Sequence, residues 1–272
     1  MAITTGDGLI AARANASIVL PIQRASIASA VAGQLFSSWR STGPLPAQGA
    51  IPGAAAVPTR ETTGALRTIG GAWLNPTDPV HTYADRISLN CTIAGRFVVF
   101  DRLIHMGGLN GTLTTLQSVS TPALPARAQS VTGEGLEWFL EWYTDTGATA
   151  SNATVTYTRA DGTTGRTVVI AVGGTAVRAG RLIPIIPSAG DISIRSIESV
   201  QLSASTTVAG SFGVTCGRRL PISAVVAAAN IPLAPQSGLL ERIQDDACLW
   251  PVVECSTTTT GDLRGEIVLV QG

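Results

Sequence analysis

Apolar and polar residues alternate with a period of two through most of the chain beyond residue 85. The clearest case is LEWFLEWY, residues 136 to 143. A strand places its side chains on two faces: Leu136, Trp138, Leu140 and Trp142 on one, and Glu137, Phe139, Glu141 and Tyr143 on the other. The alternation therefore predicts a β-strand that ends at the turn residues TDTG.

The two glutamates of this segment raise the question of paired catalytic acids. A helix would bring Glu137 and Glu141 to about 6 Å, which suits the acids of a retaining glycosidase, but a strand separates them by about 13 Å. Because the alternation favours a strand, we expect a structural role for both carboxylates. A glycoside hydrolase is the least favoured of three functional hypotheses.

Four pairs of neighbouring segments are predicted to form β-hairpins. They are residues 87–93 with 97–103, 153–157 with 168–172, 200–204 with 212–216, and 247–255 with 263–270. The second pair has the clearest signal, because Asp161-Gly162 supplies a typical hairpin turn between alternating segments.

A different period precedes these strands. Ile27, Val31, Leu35 and Trp39 recur every four residues, which predicts a helix over about residues 24–40. Residues 41–60 are crowded with Pro, Gly and Ala, which predicts an extended arm without a core of its own. The prediction is a mainly β protein, an antiparallel, jelly-roll-like β-sandwich over residues 85–272, preceded by an N-terminal segment, residues 1–84, with the one short helix and the arm.

Composition limits the partners. Only 13% of the residues are charged, the net charge is zero, and all eighteen basic residues are arginine. So small a share of charge indicates an exterior that faces protein, and hence an obligate homo-oligomer. Zero net charge gives no field to gather nucleic acid or an anionic membrane, and no apolar run reaches the roughly 20 residues of a membrane span. The first twenty residues lack a signal-peptide pattern, so we expect folding in a reducing cytoplasm.

Candidate chemistry is sparse. The glycine-rich HMGGLNGTL, residues 105–113, is not followed by a helical pattern, so a bend between strands is favoured over a phosphate loop. His81 and His105, the two histidines, have no further metal ligand at a recognised spacing. Asp245-Asp246 indicates a turn into a strand rather than a calcium loop. We therefore expect no enzyme, metal, cofactor or small-molecule substrate.

The four cysteines fit the same interpretation. Cys91, Cys216, Cys248 and Cys255 form no C-x-x-C pair, and three of them fall at strand positions. We expect them to be buried free thiols that pack as small apolar side chains.

Four phrases carry a resemblance to a known group. LFSSWRSTG at 35–43, FDRLIHMGGLNGT at 100–112, EWFLEWYTDTGAT at 137–149 and DDACLWPVVECSTTTTG at 245–261 resemble virion structural proteins of tailed bacteriophages. The resemblance implies a β-sandwich module present in many copies on the particle, as a capsid-associated or decoration protein. Its partners would be further copies of itself and other virion proteins such as the major capsid protein. Its location would be the virion, after synthesis in the host bacterial cytoplasm.

Two hypotheses about contact residues follow. In the first, the predicted helix end and the arm contact neighbouring subunits through Leu35, Trp39, Arg40, Pro44, Pro46, Ile51, Pro52, Val57 and Pro58. In the second, the chain is a carbohydrate- or receptor-binding module of a phage tail, and Phe139 and Tyr143 stack on sugar rings. Stacking requires exposed rings, and these two lie on the strand face opposite the tryptophans.

Overall fold

The computed structural model describes residues 3–15, 17–25, 31–67, 81–91, 95–172, 179–207, 210–226, 231–233, 242–258 and 261–272. These residues form one α-helix, a 3-10 turn at Ala126–Ala128, and sixteen strands: α1 (Gly6–Asn15), β1 (Ser17–Arg24), β2 (Leu35–Ser37), β3 (Thr82–Cys91), β4 (Gly95–His105), β5 (Leu109–Asn110), β6 (Gln117–Ser118), β7 (Leu136–Trp142), β8 (Asn152–Arg159), β9 (Arg166–Ala171), β10 (Arg181–Pro184), β11 (Ile194–Leu202), β12 (Ser211–Val226), β13 (Ile231–Leu233), β14 (Arg242–Ile243), β15 (Leu249–Cys255) and β16 (Leu263–Gln271). All strand pairs are antiparallel. The prediction of a mainly β, antiparallel chain with one short helix is confirmed.

Six strands close into a barrel. Their order is β4-β15-β2-β10-β7-β12, and β12 pairs again with β4 to complete the ring. Alternate side chains of β4 show its two sides: Val98 and Phe100 belong to the cluster inside the barrel, whereas Phe97 and Val99 pack outside it. A barrel of this size has room only for side chains, so its interior is a packed core.

Two further sheets cover the barrel from outside. A five-stranded sheet has the order β1-β16-β3-β13, with β14 also paired to β3, and a four-stranded sheet has the order β6-β11-β8-β9. Leu20 and Ile267 of the five-stranded sheet pack on Phe97 of the barrel. Val155 and Tyr157 of the four-stranded sheet share a second outer core with the barrel strand β7. The barrel wall is therefore buried on both faces wherever a sheet covers it.

This architecture corrects the prediction of a jelly-roll sandwich. Of the four predicted hairpins, only β8 with β9 forms, joined through the Asp161-Gly162 turn. In the other three pairs, β3/β4, β11/β12 and β15/β16, one strand belongs to a flanking sheet and the next to the barrel. Alternation identifies a strand and its faces but not its partner, which is why consecutive strands were wrongly paired.

The predicted helix over residues 24–40 is also corrected. Within the described part of that range, Leu35–Ser37 forms strand β2, and Ile27 lies outside the described residues. The spacing of four arises because Leu35 lies on a short strand while Trp39 reaches the interior from the turn beyond it. The observed helix is α1, at residues 6–15.

The N-terminal segment takes part in the same sheets as the rest of the chain. Strand β1 pairs with β16 along all eight of its residues, and β2 lies between β15 and β10 in the barrel. Residues 41–60, called the arm below, contain neither helix nor strand. Two isolated pairings hold the arm, Leu45 with Gln23 and Ala56 with His105.

Candidate functional site

An ion pair lies inside the barrel. Arg102 of β4 and Glu141 of β7 both have fully buried side chains, and Arg102 Nη2 donates to both Glu141 oxygens at 3.0 and 2.9 Å. The strands that carry them are both neighbours of β12, so the pair links two walls across a third. Two charges without water neutralise each other in this pair, and each partner therefore depends on the other.

Two tryptophans enclose the arginine. The guanidinium carbon of Arg102 lies 3.7 Å from the ring centroid of Trp250 and 4.4 Å from that of Trp39. Its Nε and Nη1 atoms have no hydrogen-bond acceptor among the described residues. The aromatic faces offer a cation–π attraction instead, which is strongest where water is excluded. Ser37 accepts a hydrogen bond from Trp250 Nε1 at 2.8 Å and so fixes that ring.

His105 and Tyr143 extend this cluster to the end of β4. His105 Nε2 lies 2.8 Å from Tyr143 Oη, and that hydroxyl donates to the Met106 carbonyl at 2.8 Å. Burial, together with the nearby Arg102 charge, lowers the pKa of His105 well below its usual value. The imidazole is therefore neutral at pH 7, 3.6 Å from a Glu141 oxygen.

The arm is held in place by side chains of β1, of the turn after β2 and of the 3-10 turn, which donate to its backbone. These bonds are Arg24 to the Ser41 carbonyl, Trp39 to Ala50, Arg40 to Gly49 and Arg127 to Pro58. The main chains of Ala56 and His105 also exchange two hydrogen bonds of 3.0 Å. Since a Pro, Gly and Ala segment has few polar side chains, its carbonyls are the groups that a donor can hold. Arginine supplies three of the four side-chain bonds.

A second buried ion pair positions one of these arginines. Arg127 Nε donates to both Asp101 oxygens at 3.2 and 3.1 Å, and the Cys248 amide donates to Asp101 Oδ1 at 2.9 Å. Burial raises the pKa of Asp101 to about 6, against the opposing effect of Arg127. The neighbouring residues Asp101 and Arg102 thus lie on opposite sides of β4, and Asp101, through Arg127, contributes to the contact with the arm.

The glycine-rich segment forms the bend between β4 and β5, as predicted, and the arm explains why glycines are required there. A Cβ on Gly107 would lie 2.4 Å from the Pro52 carbonyl oxygen, and one on Gly108 would lie 2.8 Å from that of Gly53. Gly108 also has a φ of +83°, which favours glycine. The bend leaves space for the arm backbone, and no phosphate-binding helix follows it.

The structure places the nine predicted intersubunit contact residues at different depths. Trp39, Pro46 and Pro58 are buried within the chain, Leu35, Arg40, Ile51, Pro52 and Val57 are half-buried, and Pro44 is exposed. The rest of the chain therefore covers much of the arm. Contact of the arm with another subunit stays a prediction. Of the nine residues, Pro44 is the one exposed enough to make such a contact with its whole side chain.

The two candidate sugar-stacking residues are both buried. Phe139 is 1% exposed and packs edge-on against Phe100 inside the barrel, while Tyr143 is 5% exposed and bonded to His105. The strand phase was predicted as observed, but the face opposite the tryptophans is a barrel interior rather than a solvent-facing surface. Neither ring is open for a sugar.

Glu137 and Glu141 lie in separate environments. Glu137 is 36% exposed and paired with Arg219 at 2.7 Å, whereas Glu141 is enclosed with Arg102. Each carboxylate has its own arginine, and the predicted strand is confirmed. Sequence reasoning missed the Arg102–Glu141 pair. The available signal was a glutamate on the same strand face as Phe139, together with a composition in which every basic residue is arginine.

The remaining candidate chemistry can be placed briefly. Asp245 and Asp246 lie in the turn before β15, as expected. Cys216, Cys248 and Cys255 are buried and form no disulfide, and burial raises the pKa of Cys248 to about 12. The side chain of Cys91 lies outside the described residues. In the described ranges, no three His, Cys, Asp or Glu side chains come close enough to hold a metal ion. No helix in that part of the chain is long and apolar enough to cross a membrane.

Comparison with known proteins gives little more. No protein-family model matches the chain, and no curated protein matches it. Two solved structures resemble it distantly: the subviral particle of infectious bursal disease virus VP2, at 12% identity, covering 93% of this chain and 80% of that one with a TM-score of 0.20, and the T=1 particles derived from infectious bursal virus, at 12% identity, covering 93% and 77% with a TM-score of 0.17. At these TM-scores the likeness carries no argument about this chain.

Proposed function

We propose that this chain is a structural component of a bacteriophage virion, a capsid-associated protein of the decoration or cement type. It acts through contacts with further copies of itself and with other virion proteins such as the major capsid protein. It has no catalytic role, and it binds no cofactor, nucleic acid or membrane. The resemblance of four sequence phrases to tailed-phage virion proteins suggests this class.

The observation that carries the proposal is how the chain distributes its few charges. The chain has only 36 charged residues, the sum of 18 basic and 18 acidic ones. Arg24, Asp85, Asp101, Arg102 and Glu141 are nevertheless buried. Because some of the few charged residues are buried, the surface carries even less charge than the composition indicates. Such an exterior suits a subunit whose surface is covered by neighbouring protein.

The anchored arm supports the same function. A shell subunit has to present the same contact surface in every copy, and the arm is held in one path by Arg24, Trp39 and Arg127, which donate to the carbonyls of Ser41, Ala50 and Pro58. An arm held in advance loses less conformational entropy when a partner binds. Its exposed side, which includes Pro44, is therefore a rigid surface for contacts.

The glycan-binding alternative has lost its two residues, because Phe139 and Tyr143 are buried. Nothing else among the described residues favours it. A glycan array is the experiment that would revive it.

The proposal is tested on particles. Purified full-length protein is mixed with particles of the encoding phage that lack it, and the bound amount is measured by co-sedimentation and quantitative mass spectrometry. We expect saturable binding at a fixed number of copies per major capsid protein. Absence of the chain from wild-type virions, or unsaturable trace binding to depleted particles, would overturn the proposal.

A pair of variants tests the arm. Pro44→Glu adds a charge on the exposed side of the arm, and Val131→Glu adds one at a side chain that is 79% exposed outside the arm. If the arm forms the contact, the first variant binds particles more weakly and the second binds as the wild type does. Equal binding of both variants would remove the arm from the interface and leave the virion role to the co-sedimentation result.

A further inference from the structure

Strand β9 leaves one edge of the four-stranded sheet unpaired. It pairs with β8 in continuous register from Arg166 with Tyr157 to Ala171 with Asn152. Among the described residues, β9 has no second partner strand. An edge strand presents a row of N–H and C=O groups on which another strand can add.

Two hydrogen bonds show which residues point outward. The Val172 amide donates to the Ser151 carbonyl at 2.9 Å, so residue 172 bonds towards β8. Hydrogen-bonded pairs recur every second residue, so the backbone N–H and C=O groups of residues 168 and 170 also bond to β8. The backbone groups of residues 167, 169 and 171 point away from β8. Ser188 Oγ donates to the Thr167 carbonyl at 2.6 Å from outside the β8/β9 pair, which agrees. The free groups are therefore those of Val169 and Ala171.

This edge lacks the proline that β1 and β13 carry in the five-stranded sheet. Strand β1 has Pro21 in its middle, and the short β13 has Pro232. Natural sheets protect edges with proline, lysine, bulges or inward-pointing charges. The sequence of β9, RTVVIA, has no proline and no bulge, and its single charge is Arg166 at the start.

Exposed apolar side chains lie on β9 and in the segment that contacts its first two residues. Val169 is 63% exposed, and Ile186 and Ile192 are 70% and 76% exposed. The segment from Ile186 to Ile192 is held against β9 through Ser188 and through Asp191, which accepts from Arg166 Nε at 3.1 Å. The backbone edge, with Val169 exposed on it, is of the kind on which a second strand can add.

We propose that β9 pairs with β9 of a second copy of this chain. The pairing is antiparallel about a two-fold axis at Val169, so the two Val169 residues exchange both backbone hydrogen bonds and Ala171 of each copy lies opposite Thr167, whose carbonyl also accepts from Ser188 Oγ. It joins two four-stranded sheets into one sheet of eight strands. A two-fold axis lets both copies use the same outward groups. It also holds the two Arg166 side chains about 20 Å apart, at about 3.4 Å per residue, whereas a parallel pairing would place them side by side.

This self-pairing goes beyond the proposed virion role and does not depend on it. A chain that dimerises through β9 without binding particles would support the self-pairing and overturn the virion role. A chain that binds particles but stays monomeric would support the virion role and overturn the self-pairing.

A cross-link tests the geometry. The two-fold axis brings the two copies of residue 169 to a Cα separation of about 5.5 Å, which lies within disulfide range. We expect Val169→Cys to form a covalent dimer on mild oxidation, far faster than Val131→Cys, whose side chain is exposed outside β9. The native Cys216, Cys248 and Cys255 are buried and do not compete.

Analytical ultracentrifugation over a concentration series tests the energetics without a cross-link. We expect the wild type to pass from monomer to dimer, and Val169→Lys to weaken the dimer about tenfold, because two like charges would lie directly opposite each other. Val131→Lys should leave the dimer unchanged. A wild type that stays monomeric, a dimer indifferent to Val169→Lys, or equal cross-linking of the two cysteine variants would overturn the proposal.

Discussion

The two faces of strand β7 meet very different cores. On the outer face, Trp138, Leu140 and Trp142 pack into an apolar layer against the four-stranded sheet, where Trp142 stacks on Phe212 with centroids 4.4 Å apart. On the inner face, Phe139 is followed by the charged Glu141. The outer face of β7 thus belongs to a core stabilised by apolar packing, and its inner face belongs to a core that contains an ion pair.

The difference shows what each core tolerates. An apolar core loses free energy in proportion to the volume removed, since no group is left without a partner. The ion pair behaves otherwise, because removing either partner leaves the other charged and dry. The barrel interior is therefore the more fragile region, although both are fully enclosed.

The largest expected effect comes from breaking the ion pair. Glu141→Gln keeps the shape but leaves Arg102 without a counter-charge, and we expect the free energy of unfolding to fall by about 3–5 kcal/mol. Because whole domains are stable by only about 5–15 kcal/mol, the variant should be close to unfolding. Urea denaturation followed by circular dichroism measures the loss.

A double variant separates the charge from the shape. Arg102→Met with Glu141→Leu removes both charges and fills the space with apolar atoms, so most of the stability lost in Glu141→Gln should return. A double variant as unstable as the single one would show that the tryptophan contacts of Arg102, rather than its charge, hold the interior.

On the outer face, Leu140→Ala should cost about 2–4 kcal/mol through the cavity it leaves. Leu140 has no charged partner whose removal could restore the lost free energy, and in this it differs from Glu141. Val131→Ala, at an exposed site, should change the free energy of unfolding by less than about 0.5 kcal/mol and serves as the control. A loss below about 1 kcal/mol for Leu140→Ala would mean that the outer core repacks freely.

The sequence predicted local features of this arrangement well. The alternation of LEWFLEWY identified β7 and its two faces, and Asp161-Gly162 identified the β8/β9 hairpin. Both signals are local, because the side-chain period and the turn geometry are set within a few residues. The burial of Cys216, Cys248 and Cys255 and the glycine bend were likewise predicted from neighbouring residues alone.

The features that were missed depend on partners far apart in the chain. The barrel closes through β4 with β12, and Arg102 reaches Glu141 across 39 residues. Strands such as β3 and β4 follow each other in sequence but enter different sheets. The face of β7 that carries Phe139 and Glu141 has both an apolar and a charged side chain. Alternation therefore could not show whether this face meets solvent or a barrel interior.

A smaller effect is expected from pH. Burial lowers the pKa of His105, so the unfolded chain takes up a proton near pH 6.5 while the folded chain does not. The contribution of His105 is complete above pH 6.5 and falls by up to about 1.4 kcal/mol per unit as the pH drops towards the folded pKa. The variant His105→Gln should lack this loss, as measured by urea denaturation between pH 7 and 5.

Asp101 gives the opposite slope in an overlapping range. Its folded pKa of about 6 lies above the ordinary value of 3.8, so its contribution is greatest at low pH and declines as the pH rises from about 4 to 6. The difference between wild type and His105→Gln cancels the Asp101 contribution and isolates the histidine. A difference that stays constant with pH would contradict a depressed pKa at His105.

The smallest effect should come from Glu137. It lies on the inner side of the same strand as Glu141, but its carboxylate and Arg219 are each about one-third exposed, so water already solvates both charges. Glu137→Gln should therefore lower the free energy of unfolding by less than about 1 kcal/mol. High salt should reduce even this loss, whereas the loss in Glu141→Gln should persist in high salt. Two glutamates of one strand, paired with the same residue type, would then differ in energy because of their depth in the barrel. Equal losses in the two variants would show instead that the strand position, and not the exclusion of water, sets the strength of the pair.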